Sequence, residues 1–226
     1  MTDATFDQSI GDFIDAIASD APVPGGGSVS AYTAAAGMGL VVMALEVSVK
    51  KAEDTAPFAD LIARGRTVIA ELKTSLVADM DCFSAYMATL KMPKGSEEEI
   101  ARRKAAMGEA ALTSTVVPVA AAAHCVEGLK IAVEAREICR PTIMSDVYAG
   151  ANLLEASCRS ILLNVDANLG AIPDADAQTA TRRRRGNCCG RRRSFSPRRR
   201  SDPSPVSSCR HPAPVRTESP VLKFRQ

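Results

Sequence analysis

The 226 residues, 46% of them hydrophobic, 4% aromatic and none tryptophan, suffice for one domain with a substantial core plus an appendage, and they exclude a small disulfide scaffold. The formal net charge of +2 hides a division: from Arg182 onward thirteen arginines and Lys223 face only Asp202 and Glu218, about +12, leaving about −10 on the residues before them. The seven cysteines fall singly in helical patterns or in the basic tail, without CxxC or zinc-ligand spacing, so they read as thiols in a reducing, cytoplasmic compartment and not as a metal site.

Ser9 caps a short amphipathic helix with Phe13, Ile14 and Ile17 at helical spacing and Asp12 and Asp15 outward, ending near Asp20. Pro22 and Pro24 hold the next stretch extended, and Gly25, Gly26 and Gly27 allow backbone angles closed to other residues. Ser28 reads as the N-cap of a helix from Val29 to Val49, small or apolar almost throughout until Glu46 and the Lys50-Lys51 end, hence a buried central helix. A glycine inside a helix costs roughly 0.5–1 kcal/mol against alanine, so Gly37 and Gly39 point to close helix contact. This run approaches the roughly 20 apolar residues of a membrane span, but Ser30, Thr33 and the glycines dilute it and no second such run is expected, so no membrane contact is predicted.

Thr55 and Pro57 open a long helix in which Phe58, Leu61, Val68, Leu72, Leu76 and Phe83 keep a period near 3.6 as far as Leu90. Met92-Pro93-Lys94-Gly95 breaks it. Ser96 and Glu99 form a capping box for a helix running toward Cys139, with Pro118 predicting a kink. Arg140-Pro141-Thr142 is the next break, and Thr142 or Ser145 opens a helix through Val147, Leu154, Ile161 and Val165 to the stop at Leu169-Gly170. Nothing in the body alternates with period 2, so the fold class is all-α, a bundle of long helices around a buried alanine- and glycine-rich central helix, with residues 1–181 as the domain. Residues 182–226 read as a disordered basic tail whose abrupt onset looks like a change of reading frame.

The triple glycine lacks the Lys-Ser/Thr of a P-loop and the preceding strand of a dinucleotide fold. It leaves two readings: free N–H groups at a helix N-terminus that receive an anion, or a tight crossing without a ligand. Asp79 lies one turn before Phe83 on the core-facing stripe, and Asp146 follows Ser145 in the first turn of its helix; each is a functional carboxylate, a cap or a solvated charge. Asn164 and Asn168, one turn apart, either order a ligand or bond a neighbouring helix. Lys94 and Arg103 flank a loop and face either an acidic ligand or solvent. His124 sits among small residues and reads as packed or superficial, and no Ser-His-Asp or Cys-His set can be assembled.

Taken in order, Pro24-Gly25-Gly26-Gly27-Ser28 before an alanine-rich helix, Asp79 with Phe83, Met92-Pro93-Lys94 followed by Glu97-Glu98-Glu99 and Arg103, Pro118, Ser145-Asp146, and Asn164-Val165 with Asn168-Leu169 carry a resemblance. From about Phe6 to Asp174 the sequence resembles the cyclodeaminase/cyclohydrolase family of folate enzymes. The resemblance implies a dimerising all-helical bundle that binds a tetrahydrofolate derivative and works without metal or redox cofactor. Two departures stand out: CRPTIM at 139–144, where many relatives have a Gly-Asn turn, and the arginine tail where the family's last helix is expected after Pro173.

The implied activity is hydrolysis of 5,10-methenyltetrahydrofolate to 10-formyltetrahydrofolate; the alternative is 5-formimidoyltetrahydrofolate cyclodeaminase, which releases ammonia. On this reading Asp79 or Asp146 is the base, and Gly25, Gly26, Gly27 and Ser28 hold an acidic end of the ligand. Asn164 and Asn168 position the pterin or the adduct, Ser145 adds a substrate contact, and Lys94 and Arg103 face the glutamate tail. A reading of another class makes the chain a nucleic-acid binder through RRRSFSPRRRS, with only Phe195 and Phe224 available there for stacking.

Overall fold

The computed structural model describes residues 4–172 and 174–195, and no strand occurs among them. A short turn of helix, α1 (Ala4–Asp7), and α2 (Ile10–Ile17) precede four long helices: α3 (Gly26–Val49), α4 (Ala56–Leu90), α5 (Glu97–Ile138) and α6 (Met144–Asn168). The last helix is α7 (Ala175–Phe195). Short breaks make sequential helices antiparallel, and α3 packs on α4 and α6 while α5 packs on the same two, so α3 to α6 form an up-down-up-down bundle.

Local chemistry sets most boundaries. Ser9 and Ser96 accept from the N–H groups of Asp12 and Glu99, whose carboxylates bond back, completing two capping boxes. Met38 and Leu45 of α3, Leu72 of α4, Leu129 of α5 and Leu154 and Ile161 of α6 meet in one core. Outside it, Arg64 of α4 bonds Glu127 and Glu134 of α5 at 3.1 and 3.0 Å. Glu134 chiefly, with Glu127 and Asp60, holds its guanidinium pKa above the ordinary value. These groups are partly exposed, so the network adds little stability and mainly fixes how α4 lies on α5.

Close approach is decided by missing side chains. Gly37 of α3 and Gly150 of α6 face each other, and a Cβ added at Gly150 would stand 2.4 Å from the Gly37 carbonyl oxygen. At the α3–α4 crossing, a Cβ at Gly65 would stand 2.6 Å from Val42 Cγ2.

Several expectations are corrected. Helix α3 starts at Gly26 with Gly25 as N-cap, and no described glycine has a positive φ, so the triple glycine supplies space and not unusual angles. Ser28 is no cap; its hydroxyl is committed to α4. Helix α3 is not buried all round, since Ala36, Met43 and Val47 face outward. A second helix, α5, is also long and apolar enough to cross a membrane by length and composition, though about half of the relevant stretch in both α3 and α5 is buried inside the bundle. In α2 only Phe13 is buried, 5.2 Å from the ring of Tyr32, while Ile14 and Ile17 are exposed.

The largest correction concerns residues 182–195, expected to be disordered and found as the continuation of α7. Ala177, Thr181 and Cys188 pack inward at helical spacing against α5 and α6, and Arg185 makes a two-pronged pair with Asp166 at 2.8 and 2.6 Å. The acidic body thus supplies a partner for the first basic turns. For residues 196–226 the expectation lies outside the described residues.

Gly150→Ala is expected to force α3 and α6 apart and lower unfolding free energy by about 1–3 kcal/mol. Gly39→Ala, whose Cβ would meet nothing within 4 Å, should be neutral or stabilising by roughly 0.5–1 kcal/mol. Urea unfolding followed by circular dichroism measures both.

Candidate active site

At the end of the bundle where α3 begins, a cleft of about 190 Å³ is walled by the Pro22 to Gly27 turn, Asp79, Cys82 and Phe83 of α4, Ser114 of α5, and Asn164 and Asn168 of α6. All four bundle helices contribute: α3 begins and α6 ends there, while α4 and α5 pass the cleft with residues from within their length. The first intrahelical bond of α3 runs from Val29 N–H to the Gly25 carbonyl, so the N–H groups of Gly26, Gly27 and Ser28 have no partner within the helix, and no side chain caps them. This end of α3 is electropositive.

Asp79 lies against that end. The Ser28 hydroxyl, fully buried, donates to Asp79 Oδ2 at 2.7 Å and leaves Oδ1 for another partner. A Cβ at position 27 would stand 2.2 Å from Asp79 Oδ1, so the carboxylate occupies the volume that any side chain there would take. On the other side of α3, the Asn164 amide lies 3.8–3.9 Å from where a Gly26 Cβ would be and makes no protein hydrogen bond among the described residues. Asn168 donates through Nδ2 to the Ser114 carbonyl oxygen at 2.9 Å. A carboxylate, two carboxamides and a positive helix end therefore converge on one small space.

Gly25, Gly26, Gly27, Ser28, Asp79, Asn164 and Asn168 are thus brought together as expected from the sequence. Four expected residues lie elsewhere. Ser145 and Asp146 open α6, about five helical turns or 27 Å from Asn164 at the opposite end of the bundle. Arg103 is spent on the C-terminus of α4, donating to the carbonyls of Thr89 and Leu90 at 3.2 and 3.3 Å. Lys94 is exposed in the loop between α4 and α5, about 16 Å or more beyond Asp79 along α4.

Two lining residues with polar side chains, Ser114 and Cys82, escaped the sequence reading as site residues. Ser114 offers only an isolated serine in a helical stretch, with no motif around it. Cys82 is three residues after Asp79 and therefore on nearly the same face. Burial pushes its thiol pKa up, and Asp79 and Asp81 push further in the same direction. The thiol stays protonated through neutral pH. No group of three His, Cys, Asp or Glu side chains gathers as a metal site among the described residues.

The α4–α5 hairpin extends past the cleft. Its inner face continues through Tyr86 of α4 and Lys104, Met107 and Ala111 of α5, lining a hollow of about 420 Å³ beside Arg103.

Comparison with known proteins bears on the family and the fold. The sequence model of the formiminotransferase-cyclodeaminase family matches residues 9–186, reaching into α7. The methenyltetrahydrofolate cyclohydrolase of Methylorubrum extorquens is 32% identical over 170 residues, covering 74% of this chain and 82% of that protein. The formimidoyltransferase-cyclodeaminase of Gallus gallus is 33% identical over 183 residues, 76% of this chain, which spans only 32% of that longer protein. The crystal structure of formiminotetrahydrofolate cyclodeaminase from Thermotoga maritima superposes with a TM-score of 0.68, covering 85% of this chain and 97% of that one at 20% identity, and shares the fold.

Gly27→Ala is expected to drive the Asp79 carboxylate out of its position and break its bond to Ser28 while helix content stays unchanged. Gly25→Ala, whose Cβ would meet nothing within 4 Å, should leave Asp79 in place. Crystal structures of the two variants, with circular dichroism as the control, give the comparison.

Proposed function

The chain belongs to the formiminotransferase-cyclodeaminase family, and from that premise we propose that it is a methenyltetrahydrofolate cyclohydrolase, converting 5,10-methenyltetrahydrofolate to 10-formyltetrahydrofolate in one-carbon metabolism. The observation that carries the reading is the Asp79 carboxylate, fixed by Ser28 in a cleft that also presents the amides of Asn164 and Asn168. The substrate carries a delocalised cation across N5 and N10, and its bridging carbon is already electrophilic, so the chemistry calls for no metal or redox cofactor.

Asp79 stabilises that cation, orients a water and accepts its proton as oxygen bonds to the bridging carbon. The tetrahedral adduct then collapses: the bond from carbon to N5 breaks, N5 takes a proton, the adduct hydroxyl loses its own, and the formyl group remains on N10. One water is consumed and one proton released. Asn164 and Asn168 hold the ring and the adduct by hydrogen bonds that need no charge.

The cleft, at about 190 Å³, is smaller than the 300–1,000 Å³ usual for enclosing a drug-sized ligand, so it takes the reacting rings alone. The aminobenzoyl-glutamate portion runs along the inner face of the α4–α5 hairpin, toward Tyr86 and the charge of Lys104. The uncovered apolar stripe of α3, with Ala36, Met43 and Val47, supports a homodimer. The enzyme acts in the cytoplasm. The cyclohydrolase reading is preferred over the cyclodeaminase because the Methylorubrum relative matches over most of both lengths, whereas the Gallus relative is three times longer than the shared region.

Purified full-length protein assayed on both substrates tests this. The expected result is formation of 10-formyltetrahydrofolate from the methenyl compound without ammonia release from 5-formimidoyltetrahydrofolate. Turnover of the formimidoyl compound alone, with ammonia, would replace this reading by the cyclodeaminase.

A further inference from the structure

Pro118 lies buried within α5, which runs through it without interruption. In an α-helix the carbonyl of residue 114 would receive its bond from the N–H of residue 118, and proline has none to give. Another helix supplies the donor: Asn168, the last residue of α6, donates through Nδ2 to the Ser114 carbonyl oxygen at 2.9 Å. Once Nδ2 is committed, the carboxamide has a defined orientation. Its Oδ1 takes no hydrogen bond from any described residue, and both Asn168 and Ser114 line the cleft.

The Ser114 hydroxyl adds an independent observation. Its Oγ is buried without a protein partner, whereas Thr113 and Thr115 on either side donate to the carbonyls of Glu109 and Ala111 one turn back. Position 114 thus departs from its neighbours twice, with its carbonyl bonded from another helix and its buried hydroxyl left without a partner beside the cleft.

We infer that Pro118 is a positioning residue: by withholding an N–H from the Ser114 carbonyl it leaves that carbonyl to Asn168, which sets Asn168 Oδ1 and Ser114 Oγ as a paired subsite for N–H or O–H groups of the substrate. A helix proline that only shaped α5 would not require an asparagine from α6 at the freed carbonyl. The inference rests on the folate reading only for the identity of the ligand, whose pterin N–H groups suit an amide acceptor.

Full-length wild type, Pro118→Ala, Asn168→Ala and the double variant provide the test, with Pro118→Ser as a second way of restoring the N–H. The side-chain amide resonances of Asn168 are followed by NMR, and KM and kcat are measured on whichever folate substrate wild type converts. Restoring the N–H should shift the Asn168 amide signals and remove their exchange protection. It should also raise KM about tenfold with kcat little changed, and add nothing in the Asn168→Ala background. Unchanged amide signals, or a KM effect that multiplies with that of Asn168→Ala, would overturn the inference. If wild type converts neither folate, the functional reading fails by itself and the NMR comparison alone decides the role of Pro118.

Discussion

The near approach of α3 to both of its neighbours is the constraint on which the rest of the structure depends. Along one side Asp79 stands where a side chain at position 27 would begin and Val42 fills the space left at Gly65; along the other, Gly37 and Gly150 touch backbone to backbone. Bundles with larger residues at these crossings hold their helices 8–10 Å apart, leaving wider gaps between the ends. Here the crossings draw α4 and α6 in on either side of the first turn of α3. The same absence of side chains that packs the core brings a carboxylate and two carboxamides to one cleft.

That placement gives the cleft a mixed field. The uncapped N–H groups at the start of α3 favour negative charge beside them, where the Asp79 carboxyl lies, and the buried Ser28 hydroxyl holds one of its oxygens. The other oxygen remains for a cation or a proton. Around this single charge the walls are neutral: Phe83, Val23, and amides that bind without ion pairing. Such a site suits a substrate whose own charge is delocalised and must be stabilised without strong localisation. Cys82, kept protonated by burial and by the nearby carboxylates, does not compete for the electrophilic carbon.

The helical class and most boundaries were legible because their signals are local: the Ser9 and Ser96 boxes, the break at Pro93-Gly95, the period of α4. Ser28 was misread because a serine after glycines satisfies the capping pattern, and only the position of α4 reveals that its hydroxyl has another partner. Asp79 and Asp146 look alike in sequence; the antiparallel course of the helices places one beside Asn164 and the other at the far end of α6. Arg103 resembled a ligand contact because nothing local shows that it reaches the carbonyls ending α4. In α7 the arginines masked an inward stripe, Ala177, Thr181 and Cys188, whose weak hydrophobicity gives little signal without the surface it covers. The asparagines were recognisable as a pair on one face, but the bond of Asn168 to Ser114 depends on a carbonyl in another helix.

The central claim is that Asp79 is the base. It is tested most directly by replacing Asp79 and Asp146 separately with asparagine and comparing turnover with tetrahydrofolate affinity. The account predicts that Asp79→Asn loses about 100- to 10,000-fold in kcat while still binding folate, because the amide keeps the shape of the carboxylate but cannot take the proton. Asp146→Asn should retain wild-type turnover. Full activity in Asp79→Asn, or the loss falling on Asp146→Asn instead, would contradict it.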